Sequence, residues 1–220
     1  MNELEKQVIE QIVINTVKKL LAEKDAPNRV PLGVSNKHLH LTQEHVEILF
    51  GKGHQLTNMK AVKQPGQFAC EECVRVIGPK GEFQKVRVLG PARNETQVEI
   101  SLTDARTLGL KNVPIRESGK LEGTPGVILE GPAGRVELDH GVIAALRHIH
   151  MTPEIAEQLN LKDGDCVGVE TSGLRPTLFR DVLVRVSPKY AYEMHIDTDE
   201  ANAAGLKNND ILKIVKKQEK

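Results

Sequence analysis

Aromatic side chains are the scarcest class in this chain, which has no Trp, two Tyr and four Phe among its 220 residues. Proteins that bind single-stranded nucleic acids stack the bases on aromatic rings, so the composition argues against that class. Neither sign of charge is in excess, because 30 Lys and Arg balance 30 Asp and Glu. Without net charge there is no long-range field to attract nucleic acid or an anionic membrane. We therefore expect no nucleic-acid partner and no membrane partner.

Long hydrophobic runs and paired cysteines are also missing. The apolar positions near the N-terminus are interrupted by Glu and Lys, which argues against a membrane span or a signal peptide. Three cysteines, an odd number, favour a reducing, cytoplasmic compartment over a disulfide framework. Cys70 and Cys73 have C-x-x-C spacing, but Cys166 alone cannot complete a structural zinc site. Two partly buried thiols beside a strand are the favoured interpretation.

Residues 1–27 are predicted to form an N-terminal amphipathic helix and a linker. Apolar residues recur there at three- and four-residue steps, with Glu, Gln and Lys opposite them, until the segment 25–28 ends the helix. The helix could dock on its own domain or on a second copy, or it could serve as an address or assembly helix. The apolar positions are Val8, Ile9, Ile12, Val13, Val17, Leu20 and Leu21.

From residue 28 onward the sequence is typical of a mainly β protein. Short branched segments alternate with Gly, Pro, Asp or Asn, and there is no regular βαβ rhythm, so we expect a barrel or a sandwich. The matching turns Gly78–Gly81 and Gly131–Gly134 indicate repeated hairpins. The predicted strands are Val30–Val34, Val74–Ile77, Gln84–Val88, Thr96–Ile100, Gly126–Leu129, Arg135–Leu138, Cys166–Val169, Arg180–Val186 and Ile211–Val215.

Five of the eight histidines lie in two H-x-H segments and one single position. In a strand, residues i and i+2 point to the same face, so His38-Leu39-His40 and His148-Ile149-His150 can each direct two imidazoles at one point. Neutral imidazole is the commonest metal ligand in proteins. The two pairs therefore predict a site with one or two metals.

A weak repeat links these pairs to short helices. Thr is a favoured N-cap and acidic residues suit the first helical turn, so a helix is predicted to begin at each of three such segments, capped by Thr42, Thr152 and Thr198. His40 and His150 each lie two residues before their Thr. His195 lies three residues before Thr198, so a literal repeat would point it the other way. On spacing alone, either this third segment is twisted or His195 is not a ligand.

Two further residues could complete the site. Glu99 lies on the alternating strand Gln97–Ile100, and a carboxylate commonly completes a histidine ligand set. Arg93 follows Gly90-Pro91-Ala92 in a turn, where its guanidinium could bind a phosphate or a carboxylate in a bidentate manner. A half-exposed strand residue and a free surface arginine are the alternatives for these two positions.

The spacing of Gly33, His38, His40 and Glu44 also approaches the first metal motif of cupins. In cupins the glutamate lies on a strand, whereas here the segment that begins at Thr42 is predicted to be a helix. Glu44 should then turn away from the metal, which argues against a cupin.

Taken together, the motifs of this sequence resemble those of one family. In order and spacing they are similar to the PduL-type phosphate acyltransferases, which are the phosphate propanoyltransferases of bacterial microcompartments. The similarity covers about residues 30–215. The residues that carry it are Val34–Thr42, Leu89–Arg93, Glu99, Leu146–Pro153 and Lys162–Asp165.

The resemblance implies two small β-barrel domains capped by short helices, in addition to the N-terminal helix. Residues 28–37 with 146–216 would form the first, discontinuous barrel, and residues 38–145 the second. It also implies a homodimer. Residues 2–24 could be an encapsulation peptide that binds shell or core proteins, which would place the protein in the cytoplasm or in a microcompartment lumen.

The resemblance implies two divalent metals, zinc in this family, and coenzyme A as a substrate. His38, His40 and Glu99 match the ligands of the first metal, which also takes the coenzyme A sulfur. His148, His150 and His195 match those of the second. Arg93 matches the catalytic, phosphate-binding arginine. The implied reaction converts propanoyl-CoA or acetyl-CoA and phosphate reversibly to acyl phosphate and CoA. Two alternatives stay open: a metal-dependent thioester or phosphoester hydrolase, and a non-catalytic metal-binding protein associated with the shell.

Overall fold

The computed structural model describes residues 3–24 and 26–215 of the chain. The helices are α1 (Glu3–Lys24), α2 (Gln43–Phe50), α3 (Leu102–Leu108), α4 (Pro153–Leu159) and α5 (Thr198–Ala204). The strands are β1 (Arg29–Ser35), β2 (His38–His40), β3 (Asn58–Ala61), β4 (Phe68–Ile77), β5 (Glu82–Gly90), β6 (Gln97–Glu99), β7 (Ile115–Arg116), β8 (Ile128–Glu130), β9 (Arg135–Glu137), β10 (Val142–Ala145), β11 (His148–Met151), β12 (Cys166–Glu170), β13 (Leu178–Val186), β14 (Glu193–Asp197) and β15 (Ile211–Val215).

The strands form a closed barrel and a curled half-barrel sheet, which confirms the predicted mainly β fold. Six strands close the barrel in the order β1-β14-β11-β13-β12-β15, because β15 pairs with both β12 and β1. The half-barrel sheet has the order β7-β10-β6-β2-β5-β4-β8-β9, with β3 added beside β4. Short helices follow strands of both units.

Alternation of apolar residues gives each unit its own core. In β4 and β5, Val74, Val76, Val86 and Val88 are buried, while the residues between them are half-buried or exposed. Separate apolar clusters fill the barrel and the half-barrel. Successive residues of a strand point to opposite faces, so an apolar residue at every second position makes one face apolar. Burial of that face stabilises the sheet.

The chain crosses between the two units. Strand β1 pairs in parallel with β14 and antiparallel with β15, both near the other end of the chain. The chain therefore leaves the barrel after Ser35, builds the half-barrel, and returns to the barrel with β11. The domain boundaries at residues 37, 145 and 216 stay predictions, and residue 216 lies outside the described residues.

Helix α1 is long but does not pack on the barrel or on the half-barrel through its described side chains. All side chains of residues 5–18 are exposed, and Val8, Ile12 and Val13 are each more than 50% exposed. The prediction that this helix docks on its own domain is therefore wrong for residues 5–18. The side chains of Leu20 and Leu21 lie outside the part of the chain that the structure describes. So does Asp25, at which the helix was predicted to end. Among the described helices, none combines the length and the apolar content that a membrane crossing needs.

Candidate active site and metal centre

The first candidate metal cluster is formed by the antiparallel pair β2 and β6. Glu99 lies directly opposite His38 in this pairing. Nε2 of His38 is 3.5 Å from Glu99 Oε2, and Nε2 of His40 is 3.9 Å from Glu99 Oε1. The two imidazole centroids are 5.3 Å apart, because residues i and i+2 of the short strand β2 point to one side. The three predicted residues therefore meet at one point.

Backbone hydrogen bonds determine which nitrogen of each ring is free. Nδ1 of His38 lies 2.8 Å from the carbonyl oxygen of Asn36, and Nδ1 of His40 lies 3.1 Å from that of Leu89. A carbonyl oxygen only accepts, so each Nδ1 carries the hydrogen and each Nε2 keeps its lone pair. These lone pairs face Glu99, in the arrangement that a metal ligand needs.

Burial and local charge tune the protonation states in this first cluster. Burial, reinforced by the charges of His38 and Arg93, lowers the pKa of His40 to about 3, so its ring is neutral at pH 7. Burial alone would raise the pKa of Glu99, but electrostatic interactions with His38, His40 and Arg93 outweigh it and lower that pKa. A neutral imidazole beside an ionised carboxylate is a donor set suited to a divalent metal.

The second candidate cluster is formed by the antiparallel pair β11 and β14. His195 lies directly opposite His148, and the ring centroids are 5.1 Å apart. The His150 centroid is 4.7 Å from that of His148 and 5.0 Å from that of His195. Burial lowers the pKa of His148, and it lowers those of His150 and His195 to about 2 and about 3. The three imidazoles are therefore neutral at pH 7.

His150 shows best that this second cluster fits a metal. Both of its ring nitrogens are buried and have no hydrogen-bond partner among the described residues. Leaving a buried polar group unpaired costs about 1–3 kcal/mol, so native structures rarely do so without a reason. A metal bound to one nitrogen would remove part of that cost. In each of the two clusters, one potential ligand atom per residue lies within 4.8 Å of the others.

The position of the helix cap explains how His195 can belong to the second cluster. Its spacing from Thr198 had argued against a role as a ligand. The prediction that Thr198 caps the last helix is wrong, because Asp197 is the N-cap of α5 and its side chain accepts a hydrogen bond from Glu200 N–H. Counted from Asp197, His195 lies two residues before its cap. His40 and His150 stand at the same distance from Thr42 and Thr152. The register objection to His195 therefore disappears.

Glu99 belongs to a fourth copy of this arrangement, which the sequence analysis missed. Ser101 is the N-cap of α3, where it forms a capping box with Asp104, and Glu99 precedes it by two residues. In all four copies the residue between ligand and cap is buried and apolar. The pattern of ligand, apolar residue, cap and short helix could have selected both Glu99 and His195 from the sequence. The intervening residues are Leu41, Ile100, Met151 and Ile196.

The same pairing of strands is used twice. In each cluster an H-x-H strand lies antiparallel to a strand that carries the third candidate ligand. Two residues before that third candidate ligand, the same strand carries another buried polar residue. That additional residue is Gln97 in the first cluster and Glu193 in the second. Gln97 donates to Glu99 Oε1, and Glu193 Oε2 lies 3.3 Å from His195 Nε2. Both clusters therefore have a buried polar neighbour that contacts the ligand on its own strand.

Arg93 is brought to the first cluster by its turn. Its backbone N–H donates to the carbonyl of Leu41 over 2.8 Å, just before α2. Its Nη1 lies 3.4 Å from Ser118 Oγ, and this hydroxyl donates to Glu99 Oε1 over 3.2 Å. Arg93 is partly buried and is not a free surface residue. Ser118 was not singled out from the sequence, since it lies in a loop without a motif.

Both clusters and Arg93 line one cavity of about 1230 Å³. His148 of the second cluster is among the groups whose electrostatic interaction lowers the pKa of Glu99, so the two clusters lie within electrostatic reach of each other. A cavity of this size exceeds the pockets of about 300–1,000 Å³ that hold drug-sized ligands. It can therefore take a large substrate together with a small one.

The other histidines, Glu44 and the C-x-x-C pair belong to neither cluster. His54 contacts Glu72 and His45 contacts Thr96, both through a ring nitrogen. Glu44 is exposed on α2, so the cupin arrangement is absent at this position. Cys70 is buried in the half-barrel core, while Cys73 lies on the opposite face of β4. The C-x-x-C pair is therefore two separate thiols, as favoured from the sequence.

Comparison with known proteins gives a consistent result along most of the chain. The family model described as phosphate propanoyltransferase matches residues 31–207. The chain is 50% identical over 214 residues to the phosphate propanoyltransferase of Sebaldella termitidis, which covers 97% of this chain and 100% of that protein. It is 54% identical over 203 residues to that of Leptotrichia buccalis, with 92% and 95% covered, and 54% identical over 185 residues to that of Thermotoga maritima, with 84% and 88% covered. The chain therefore belongs to the phosphate propanoyltransferase family, and it is an enzyme of the acyltransferase class.

Proposed function

We propose that this enzyme transfers the acyl group of propanoyl-CoA or acetyl-CoA reversibly to inorganic phosphate, and that it uses two bound divalent metals. The observation that carries the proposal is the meeting of two ligand clusters and Arg93 on one cavity. Relatives that are about half identical over nearly their whole length carry the name phosphate propanoyltransferase, which supports the substrate assignment.

The residues that would hold the metals follow from the two clusters. His38, His40 and Glu99 would hold one metal, and His148, His150 and His195 the other; zinc suits both sets, since three protein ligands leave a coordination position open. Bound there, a divalent metal supplies Lewis acidity, which lowers the pKa of a thiol and stabilises negative charge that develops on oxygen.

The protein's own groups position the second substrate. The planar guanidinium of Arg93 can bind phosphate in a bidentate manner, and Ser118 provides a hydroxyl beside it. A phosphate oxygen then forms a bond to the thioester carbonyl carbon while the carbon–sulfur bond breaks, and CoA leaves as a thiolate. Holding both substrates in one cavity makes this a direct transfer, which requires no nucleophilic side chain.

The proposal extends to assembly. Residues 28–37 with 146–216 and residues 38–145 are proposed as the two domains, and the enzyme as a homodimer. The exposed apolar side chains of α1 support a docking role for residues 2–24, for which shell or core proteins of a microcompartment are the proposed partners. Deletion of residues 2–24 should then abolish co-purification with shells while the acyl transfer rate is unchanged.

The decisive experiment measures CoA release and acyl phosphate formation from acetyl-, propanoyl- and butanoyl-CoA, with and without phosphate and a chelator. We expect equal amounts of CoA and acyl phosphate, dependence on phosphate, and loss of activity with the chelator. CoA release without phosphate would identify a thioester hydrolase instead. No CoA release from any of these substrates by the metal-loaded protein would favour a non-catalytic metal-binding protein.

A further inference from the structure

A second arginine, Arg185, faces the same cavity as Arg93. It lies in β13 directly beside His150 in the parallel pairing of β11 and β13. Paired positions of neighbouring strands point to the same face of a sheet, so Arg185 shares the face of the second cluster. It lines the cavity together with Arg93. None of the sequence motifs had singled it out.

The guanidinium of Arg185 has no anionic partner within the described ranges. It is half-buried and lies against the ring of Tyr190, whose centroid is 5.8 Å from Arg185 Cζ. Buried or half-buried arginines are normally paired with a carboxylate. Arg147, which is also half-buried, follows that rule: it forms an ion pair of 2.7 Å with Glu200.

Tyr190 connects Arg185 with the second cluster. Its ring stacks on that of His150, with the centroids 4.0 Å apart and the planes 19° from parallel. The guanidinium cation of Arg185 lies over the same aromatic ring. Tyr190 thus restricts the orientation of both side chains while it leaves the hydrogen-bond donors of the guanidinium available.

The charges around the cavity are unbalanced. Burial lowers the pKa of Arg93, and the positive charge of Arg185 lowers it further, so the two guanidinium groups act on each other across the cavity that both line. Two guanidinium groups that repel each other across a cavity are stabilised when an anion lies between them. Phosphate, with several acceptor oxygens and at least one negative charge at neutral pH, has the chemistry to satisfy both.

We propose that Arg185 is a second phosphate-binding residue, which together with Arg93 holds the inorganic phosphate that accepts the acyl group. This inference rests on the proposed function and adds a residue to its phosphate site. Tyr190 is a positioning residue that keeps Arg185 and His150 in place.

The test compares Arg185→Gln with Arg180→Gln in the metal-loaded, full-length protein. Arg180 lies on the same strand, but its side chain is exposed and does not line the cavity. Loss of a charge-assisted hydrogen bond should raise the KM for phosphate about 10- to 100-fold in Arg185→Gln. The KM for propanoyl-CoA should stay unchanged, and Arg180→Gln should behave as wild type. Calorimetric titration with inorganic phosphate should show the same loss of affinity without turnover.

Arg185→Lys serves as the second variant, since it keeps the charge and tests the fold as well. It should recover part of the phosphate affinity, because an ammonium group lacks the planar fork of donors. An unchanged KM for phosphate in both variants would overturn the inference, and so would a raised KM for propanoyl-CoA alone. Failure of the proposed function itself would be seen separately, because the wild-type enzyme would then form no acyl phosphate.

Discussion

His195 lies directly opposite His148 in the antiparallel pairing of β11 and β14. This pairing, and not the spacing along the chain, brings a third imidazole to the second cluster. Glu99 has the same relationship to His38 between β2 and β6. One strand arrangement therefore produces two candidate ligand sets, and the second can be tested by replacing His195.

We expect His195→Ala to reduce the metal content from two ions per chain to one. Two imidazoles without the third leave a divalent metal with too few protein ligands for tight binding. Elemental analysis of the purified protein measures the content. His140→Ala is the control, since His140 is only half-buried and contacts Asp139 and Glu95 outside both clusters. A full metal content in His195→Ala would exclude His195 as a ligand.

Gly33→Ala should weaken the second cluster without touching a ligand. Gly33 lies opposite His195 in β1, and a Cβ at this position would come within 2.9 Å of Glu193 Cδ. Moving this buried carboxylate away from His195 and Lys63 should cost about 1–3 kcal/mol of folding free energy. Urea unfolding measures the cost. In the double variant with Glu193→Ala the effects should be less than additive; strict additivity would place the strain elsewhere.

Cys73→Ala should retain the full transfer rate, because direct transfer needs no thiol nucleophile. Cys73 lines the cavity, while burial raises the pKa of the Cys70 thiol to about 11 and keeps it protonated. Mass spectrometry of the enzyme quenched during turnover should find no acyl adduct. An adduct on Cys73 that is lost in Cys73→Ala together with activity would contradict direct transfer.

The metal-free protein should lose stability as the pH falls from 7.5 to 5. The pKa values of His40, His150 and His195 are lowered from 6.5 to about 3, 2 and 3 in the folded chain. Below pH 6.5 the unfolded chain therefore binds protons that the folded chain does not, and the free energy of unfolding decreases. At pH 5 one such imidazole contributes on the order of 2 kcal/mol.

Urea titrations at several pH values measure this slope. His150→Leu, which removes one of the buried imidazoles, should show a shallower slope than wild type. His140→Ala should not, because hydrogen bonds to Asp139 and Glu95 raise the pKa of His140, so its removal can only make the slope steeper. A slope that does not change in His150→Leu would show that other groups cause the acid sensitivity. In the metal-loaded protein, protons compete with the metals for the same imidazoles, so acidification should release the metals in this pH range.

Much of the site could be predicted because its histidines follow the strand period. The pairs around Leu39 and Ile149 alternate between ligand and buried core, which is the local signature of a half-buried strand. Thr42 was predicted as a cap from its residue type, and the structure confirms it, because its hydroxyl accepts a hydrogen bond from His45 N–H. The third cap was misplaced by one residue, since Asp197 and Thr198 are both good caps and sequence alone does not rank them.

Three of the strands that escaped prediction each have a physical reason. Strand β14 (Glu193–Asp197) carries Glu and His on the face that lines the cavity, so it lacks the usual alternation of apolar and solvated positions. Strand β3 is exposed along its whole length, and β7 has only two residues. Arg185 was overlooked because its role depends on β13 lying parallel beside β11, a relationship between distant segments that no local pattern contains.

The position of β1 has a consequence for how the protein folds during synthesis. Its partners β14 and β15 leave the ribosome only after the whole half-barrel has been made. The half-barrel can collapse on its own core while β1 waits as an unpaired strand, and closure of the barrel is then a late, long-range step. A nascent chain arrested before residue 193 should therefore resist proteolysis in residues 38–145 and be cut in residues 29–35.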